Sequence, residues 1–255
     1  GSGMLISSTL LFSYGFNVSI FFLISCMTLV FIFPFTSSEL GHKEGAKDHQ
    51  EYKNVLGLKF LFSEISQGLL NKTAIAAAAF MLFSNIAIGI FDVTYNKFYL
   101  EVLGMTGEDI GTIRPVGMWL GGLIGFSVGL ISFYLGKRML LVAFLASQIL
   151  LFIFLSTFNT EASQQLGSLV IIGLDITEAA VKVIIFAILM ALCTTQTSAT
   201  NFGIFMGFSN LSTIIGNSLA PLIMEYFTYS VTYIFAGLTL VPCVVLAFYL
   251  TKAKN

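Results

Sequence analysis

The stretch GLDITEAAVKVIIFAILMALCTTQTSATNF, residues 173–202, decides how the rest of the chain is interpreted. It predicts one long apolar helix that carries Asp175, Glu178 and Lys182 and leaves the apolar phase at Cys193. Because a helix repeats every ~3.6 residues, these three charges fall on one face. Charges inside an apolar span are costly and indicate, by default, movement of an ion or a substrate. The alternative is a buried structural pair between Glu178 and Lys182.

Composition places the chain among membrane proteins. Of 255 residues, 56% are hydrophobic and 10% are charged, and the mean hydropathy is +0.92. Such a chain has too few charges to cover a water-facing surface, so we expect an all-α, polytopic membrane protein with the lipid bilayer as a partner. The net charge of −1 offers no basic surface to nucleic acid.

Neither a metal nor a cofactor is expected. His42 and His49 lie in a charged segment where nothing rigid would hold a ligand set. The three cysteines, Cys26, Cys193 and Cys243, lie in or at the end of apolar runs without paired spacing, which excludes a disulfide framework. An intramembrane enzyme is also disfavoured, because HExxH, GxSxG and a Cys and His pair within reach are missing from the sequence.

Apolar length predicts the spans and three regions. About 20 apolar residues cross the hydrocarbon core. Residues 1–35 form the end of an N-terminal half, with one partial span and one full span. Residues 36–72 form a polar central loop, and residues 73–255 form a six-span bundle. The runs are 4–16 (partial), 18–35, 74–95, 111–133, 139–157, 168–193, 202–227 and 231–249.

Basic residues predict the orientation. Lysines are frequent in the 36–72 loop. Lys137 and Arg138 come after an even number of further spans, which places them on the same side of the membrane as the loop. Because such residues stay on the cytoplasmic side, the loop and the C-terminus are expected in the cytoplasm. Asp92 and Asp175 then both lie toward the outer half of the membrane, and Arg114 can reach the same level. We expect these three, with Glu178 and Lys182, to converge in one cavity and to pair with each other when it is empty. The alternative is that Asp92 and Arg114 only anchor their helices at the headgroups.

Glycines in the 111–133 span predict close contact with a neighbouring helix. They recur at nearly four-residue steps, which lets a neighbouring backbone approach and slide. The span ends in Gly129-Leu-Ile-Ser-Phe-Tyr-Leu-Gly136-Lys137-Arg138. The members of the repeat are Gly117, Gly121, Gly122, Gly125 and Gly129.

That decapeptide resembles the cytoplasmic loop signature of the major facilitator superfamily, with Phe133 and Tyr134 in place of its usual acid and base. Leu192-Cys193 followed by Ser198-Ala199-Thr200-Asn201-Phe202 is similar to the turn between the tenth and eleventh spans of the muropeptide permeases (AmpG-type) within that superfamily. The resemblance implies the C-terminal half of a twelve-span fold. It also implies proton-coupled import of anhydro-muropeptides across a bacterial inner membrane.

Under that resemblance the candidate residues acquire roles. Asp175 and Glu178 are expected to handle protons or substrate with Lys182 as their partner, and Ser198, Ala199, Thr200 and Asn201 to form an inner gating turn. Because such transporters rock two halves about one site, a separately encoded half or a second copy would have to complete the cavity. Two other outcomes stay open: an inactive truncated remnant or structural membrane subunit, and a related transporter with an acetyl-CoA-like or sugar substrate.

Overall fold

A computed structural model describes residues 71–158, 163–193 and 198–252 of the chain, with the backbone alone at 198–200 and 252. The predicted spans at 4–16 and 18–35 and nearly all of the 36–72 loop lie outside these ranges. Within them, the chain is entirely helical. The helices are α1 Lys72–Glu101, α2 Gly107–Leu135, α3 Lys137–Ser156, α4 Gln164–Leu192, α5 Ser198–Tyr226, α6 Tyr229–Thr239 and α7 Val241–Lys252.

The all-helical fold class is confirmed. Five of the six spans predicted between residues 74 and 249 are each one helix, and most of these helices extend beyond the predicted apolar run into polar residues at their ends. The last span is the exception, because α6 and α7 share it with a break at Leu240. Pro242 has no N–H for the helical ladder, which explains why the helix is interrupted there.

Local sequence explains where two of the helices begin. At the start of α2, the Thr106 hydroxyl accepts a hydrogen bond from the Asp109 N–H at 3.1 Å, and the Asp109 carboxylate accepts one from the Thr106 N–H at 2.9 Å. This reciprocal cap satisfies two backbone donors that the helix leaves unpaired. Between α2 and α3 stands Gly136 alone, with φ of +80°, a conformation that glycine adopts without a steric penalty.

The helices pack as two pairs with two helices beside them. α1 lies along α5, and α2 lies along α4. α3 packs against α4 and against the α6 and α7 span, which in turn covers α1. The contacts repeat between the first three spans and the last three. The α1 contact with α5 corresponds to the α4 contact with α2, and the α3 contact with α4 corresponds to the contact of the α6 and α7 span with α1. Such a repeat is expected for a bundle built from two three-helix units.

Two apolar cores fill the bundle, one toward each end. The first gathers Phe91, Phe98, Phe152 and Tyr233 around the C-terminal half of α1. The second gathers Phe80, Leu141, Ile184 and others around the N-terminal half of the same helix. Between the two cores lies a layer with buried polar side chains, among them Asn85 and Gln148. The candidate functional groups lie in and beside this layer.

Length and composition make the chain a multi-pass membrane protein. Among the described residues, four helices are long and apolar enough to cross a bilayer: Lys72–Glu101, Gly107–Leu135, Lys137–Ser156 and Tyr229–Thr251. The two other long helices are α4 and α5, and α4 holds three charged residues along one stripe. A bilayer of lipids is therefore the solvent for most of the outer surface.

Candidate functional site

Glycines on α2 allow the α4 backbone to come close at Asp175. A Cβ atom on Gly117 would overlap the Asp175 carboxylate, and one on Gly121 would lie 2.9 Å from the Asp175 carbonyl oxygen. Farther along α2, a Cβ on Gly125 would meet the Val183 side chain at 3.3 Å. Gly122 points elsewhere, with no atom within 4 Å of its Cβ position. The small residues thus place the Asp175 carboxylate in direct contact with α2.

Asp92, Arg114 and Asp175 form a network that joins three helices. Arg114 Nη2 donates to Asp92 Oδ1 at 2.7 Å, and Arg114 Nε lies 3.1 Å from Asp175 Oδ1. The guanidinium of α2 therefore bridges one carboxylate from α1 and one from α4. We call these three residues the outer triad, after the side of the membrane on which the orientation predicted from basic residues places them.

Burial divides the outer triad. The Arg114 side chain is 8% exposed and that of Asp175 is 4% exposed, whereas Asp92 is 38% exposed. Arg114 is thus a buried charge rather than an anchor extended to the headgroups. Within the described part of the chain, Arg114 Nε and Nη1 and Asp175 Oδ2 have no hydrogen-bond partner, so the contact between Nε and Asp175 is an ion pair without a hydrogen bond. Such unsatisfied buried groups are expensive and are concentrated at functional sites.

Aromatic rings hold the guanidinium from the α1 side. Its central carbon lies 4.6 Å from the centroid of the Tyr95 ring and 5.3 Å from that of Phe91. Phe91 packs edge-on against Phe152 and also contacts Tyr233, so it belongs to the first apolar core. A cation over an aromatic face is stabilised electrostatically, more so when it is shielded from water. Arg114 therefore has a fixed position that does not depend on Asp92 alone.

Glu178 and Lys182 form a second ion pair one to two turns farther along α4. Lys182 Nζ bonds Glu178 Oε1 within the helix, at i and i+4. The pair lines a notch of about 20 Å³ together with Asn85 from α1, Gln148 from α3 and Ser209 from α5. That volume holds roughly one water molecule. The five predicted ionisable residues are therefore divided between the outer triad and this pair, which we call the notch pair.

The two groups act on each other without touching. Asp175, Glu178 and Lys182 share one stripe of α4, and the charged groups that influence Asp175 are Arg114, Glu178, Asp92 and Lys182. Asp175 faces α2, while the notch pair faces the junction of α1, α3 and α5. A charge that enters the notch would consequently be felt at the outer triad over about one helical turn.

The other candidate residues lie at the opposite end of the bundle. Ser198, Ala199, Thr200 and Asn201 begin α5, so their backbone is helical, and the four residues of the turn before them lie outside the described ranges. Asn201 is buried. Gly129 lies against Val183 of α4, Gly136 makes the link to α3, and Lys137 opens α3.

Arg138 at that end stacks its guanidinium 4.4 Å from the ring centroid of Phe248. This contact joins the beginning of α3 to α7, so the glycine and basic residues of 129–138 form a junction between α2, α3 and α7. Any gating role of these residues stays a prediction.

Sequence reasoning missed the uncharged polar members of the notch, which are Ser84, Asn85, Gln148 and Ser209. Gln148 is 2% exposed in α3, and Asn85 is buried in α1, where its amide donates to the Met81 carbonyl at 3.0 Å. Each follows a serine and so forms a short uncharged polar pair within an apolar run, and that was the available signal. Polar side chains buried in membrane helices generally contact one another or a water-filled space. Among the described residues, no group of three His, Cys, Asp or Glu side chains is arranged to hold a metal ion.

Comparison with known proteins finds two distant relatives. Over 187 residues the chain is 27% identical to "Putative transporter AmpG 2" of Rickettsia prowazekii (strain Madrid E), which covers 71% of this chain and 45% of the relative. Over 189 residues it is 29% identical to the protein of the same name from Rickettsia typhi (strain ATCC VR-144 / Wilmington), with the same coverage. The chain thus spans about half the length of the curated relatives it matches. No family model matches, and no solved structure matches either.

These similarities are at the level of the family. They connect a multi-pass helical protein to proteins named as putative transporters of the AmpG type. They say nothing of the substrate or of a coupling ion.

Proposed function

We propose that this chain forms part of a secondary active transporter that imports cell-wall-derived anhydro-muropeptides together with protons across a bacterial inner membrane. The observation that carries the proposal is the outer triad. Three ionisable side chains from α1, α2 and α4 meet inside a membrane bundle, and two of them are almost fully buried.

Stability alone is a poor reason for such an arrangement. Removing charges from water costs several kcal/mol per ion, and well-packed apolar residues often replace a buried ion pair without loss of stability. In membrane helices, ionisable residues that face a bundle interior mark ion and substrate paths. The notch pair supports the same interpretation, because it lies beside a polar layer that reaches α1, α3 and α5.

Asp175 is the proposed proton-coupling residue. It is the deepest carboxylate of the triad, and its Oδ2 has no hydrogen-bond partner among the described residues. Arg114 from α2 contacts it, and the other charged groups near enough to influence it are Asp92 from α1 and Glu178 and Lys182 from α4 itself. Gain of a proton at Asp175 would release Arg114 from one of its two carboxylates, and this change links protonation to the geometry of three helices.

The substrate class rests on the resemblance of the 189–202 region to muropeptide permeases and on the family-level similarity to AmpG-type transporters. The superfamily fold and the inner-membrane location are proposed on the same grounds, and the cytoplasmic position of the loop and the C-terminus is proposed from the distribution of basic residues. A second bundle, either separately encoded or a second copy, is proposed to complete the cavity, because one six-span unit cannot enclose a substrate by itself.

Uptake by membrane vesicles tests this proposal. Vesicles carrying the protein with its partner, under an inward proton gradient, are expected to accumulate labelled anhydro-muropeptide, and Asp175→Asn is expected to abolish the gradient-driven part. The matched control is Glu225→Gln, which removes an exposed carboxyl at the end of α5. Equal gradient-driven uptake by wild type and Asp175→Asn would remove Asp175 from coupling. No uptake by wild type would refute the proposed substrate.

A further inference from the structure

We infer that Arg114 binds the carboxylate of a small organic anion, and that the Asp92 carboxylate occupies this position until such a ligand replaces it. The inference rests on the proposed transporter function and names the chemical group that the outer site recognises. In this role Asp92 competes with the ligand for Arg114 and is not a proton-binding group.

The two carboxylates that contact Arg114 differ in how easily they can move away from it. The Asp175 side chain is 4% exposed and is confined by Gly117 and Gly121 of α2. The Asp92 side chain is 38% exposed and uses one oxygen to accept from Arg114 Nη2 at 2.7 Å. Rotation of Asp92 toward the exposed side needs no change in helix packing, whereas rotation of Asp175 does. Asp92 is therefore the carboxylate that a ligand would displace.

Arg114 stays in place when Asp92 leaves. Its Nε lies 3.1 Å from Asp175 Oδ1, and its guanidinium stacks on the rings of Tyr95 and Phe91. These contacts come from residues that remain buried or half-buried. A binding group that is already oriented loses little conformational freedom when the ligand arrives, which favours affinity.

The guanidinium also has unused donor capacity. Arginine presents five N–H donors in a planar fork that matches both oxygens of a carboxylate. Asp92 takes a bond from Nη2 alone, and Nη1 has no hydrogen-bond partner within the described residues. A ligand carboxylate in the place of Asp92 can accept from both Nη2 and Nη1, so the exchange is expected to gain a bond at Nη1.

Charge accounting favours an anion over a neutral ligand. Arg114 carries one positive charge against two carboxylates. When the ligand's carboxylate replaces that of Asp92, the number of carboxylates on Arg114 is unchanged and Asp92 becomes solvated. No buried charge loses its partner, which is the costly event in a low-dielectric site. A neutral ligand in the same place would leave Arg114 with Asp175 alone.

Binding of D-lactate and of its neutral amide, lactamide, to the full chain in lipid nanodiscs tests the inference. D-lactate serves as a minimal carboxylate probe, because the free carboxylates of a muropeptide lie on its peptide and its lactyl carboxyl is bound as an amide. Wild type is expected to bind D-lactate with a Kd on the order of 1 mM or weaker, and lactamide without detectable affinity. If Asp92 occupies Arg114 in about nine molecules of ten, Asp92→Asn is expected to bind D-lactate ~10-fold more tightly. Arg114→Gln is expected to lose binding.

The control is Glu101→Gln, which removes an exposed carboxylate from the same helix and is expected to leave D-lactate binding unchanged. Equal affinity for lactate and lactamide would overturn the inference, and so would an Asp92→Asn variant that folds and binds lactate no better than wild type. These two outcomes decide the matter even when Arg114→Gln fails to fold.

The test is separate from that of the proposed function. Carboxylate-selective binding without muropeptide uptake keeps the anion site and refutes the substrate. Muropeptide uptake without carboxylate selectivity keeps the transporter and refutes the role of Arg114.

Discussion

Glycine brings two helices close together both in the α1 and α5 pair and in the α2 and α4 pair, but the groups that meet in the two interfaces differ. In the first pair, a Cβ on Gly216 of α5 would overlap the carbonyl oxygen of Ile86, and Ser212 donates to the Leu82 carbonyl across the interface. In the second pair, Gly117 and Gly121 admit a carboxylate that binds an arginine. Glycine permits close approach in both. The α1 and α5 contact is filled with neutral hydrogen bonds and the α2 and α4 contact with charges, and we attribute structural stability to the former and function to the latter.

The largest expected effect comes from breaking the charged contact on one side. Arg114→Ala leaves Asp175 without its cation, and loss of one partner of a buried pair costs about 3–5 kcal/mol. The free energy of unfolding, measured by reversible denaturation in micelles, checks this. Lys97→Ala is the control, because its pair with Glu101 is exposed, and no measurable change is expected.

The double variant sharpens the result. Replacing both Arg114 and Asp175 by leucine removes both charges, so it should cost clearly less than the sum of the single replacements. Additive losses would mean that the two side chains do not depend on each other, contrary to their 3.1 Å separation.

Gly216→Ala is expected to produce the next largest effect, on the neutral contact. The new methyl group would overlap the Ile86 carbonyl and lie 3.0 Å from the Gly89 Cα, both backbone atoms that cannot rotate away. Overpacking of this kind costs about 1–3 kcal/mol. The same unfolding measurement checks it.

Gly122→Ala is the matched control for the glycine variants, because nothing lies within 4 Å of its Cβ position. It is expected to be neutral, or to raise stability by up to about 1 kcal/mol through helix propensity. A comparable loss in Gly122→Ala and Gly216→Ala would show that the close contact between α1 and α5 is not the cause.

A smaller loss of stability is expected from Gly117→Ala. Its methyl group would overlap the Asp175 carboxylate, so the carboxylate has to be displaced and α2 has to shift slightly away from α4. Because the overlapped atom is the end of a side chain and not backbone, the cost should be near the lower end, about 1 kcal/mol. This displacement moves the carboxylate away from Arg114. Uptake should therefore fall more in Gly117→Ala than in Gly216→Ala, although the latter is less stable. Lower uptake in Gly216→Ala than in Gly117→Ala would contradict our attribution of function to the α2 and α4 contact and of stability to the α1 and α5 contact.

The smallest change in stability is expected for Glu178→Gln. The Glu178 side chain is 18% exposed and its partner Lys182 is 43% exposed. An i, i+4 pair on one helix contributes about 0.2–0.5 kcal/mol. If the notch pair takes part in transport, uptake should drop while thermal unfolding stays within error of wild type. An unfolding transition lowered as much as in Arg114→Ala would identify the pair as structural instead.

The helices of the bundle could be predicted from the sequence because apolar length is a local property. Each run of about 20 apolar residues between 74 and 249 forms a helix, and the polar residues that bound the runs extend it. The break at Leu240 was missed, although Pro242 is visible, because the mean hydropathy of the span hides a single missing backbone donor.

The site was less accessible to prediction. Charge placement and topology were enough to put Asp92, Arg114 and Asp175 at one level, since opposite charges in a membrane must find one another. The separation of the notch pair from the triad was not foreseen. Residues 175, 178 and 182 share a stripe, but which neighbour each one faces depends on how α2 and α3 cross α4, and that is a tertiary property.

The uncharged partners could not be ranked from the sequence. Gln148 and Asn85 have no counterpart at a fixed spacing, and Phe91 and Tyr95 are two among many aromatic residues. Their importance comes from helices far apart along the chain. The i, i+4 spacing of the two rings on either side of Asp92 was the single local hint.

Gly136, the lone residue between α2 and α3, has a mechanical consequence. α2 extends without interruption from the Arg114 region to this link, about 32 Å at 1.5 Å per residue, so it can act as a lever. A tilt of about 5° around the Arg114 end would carry the far end of α2 sideways by about 3 Å, a sizeable part of one helical turn. With one residue to absorb that displacement, α3 has to follow, and with it the stacking of Arg138 on Phe248. The chain thus contains a linkage through which the proposed carboxylate exchange at Arg114 would be transmitted to the opposite end of the bundle.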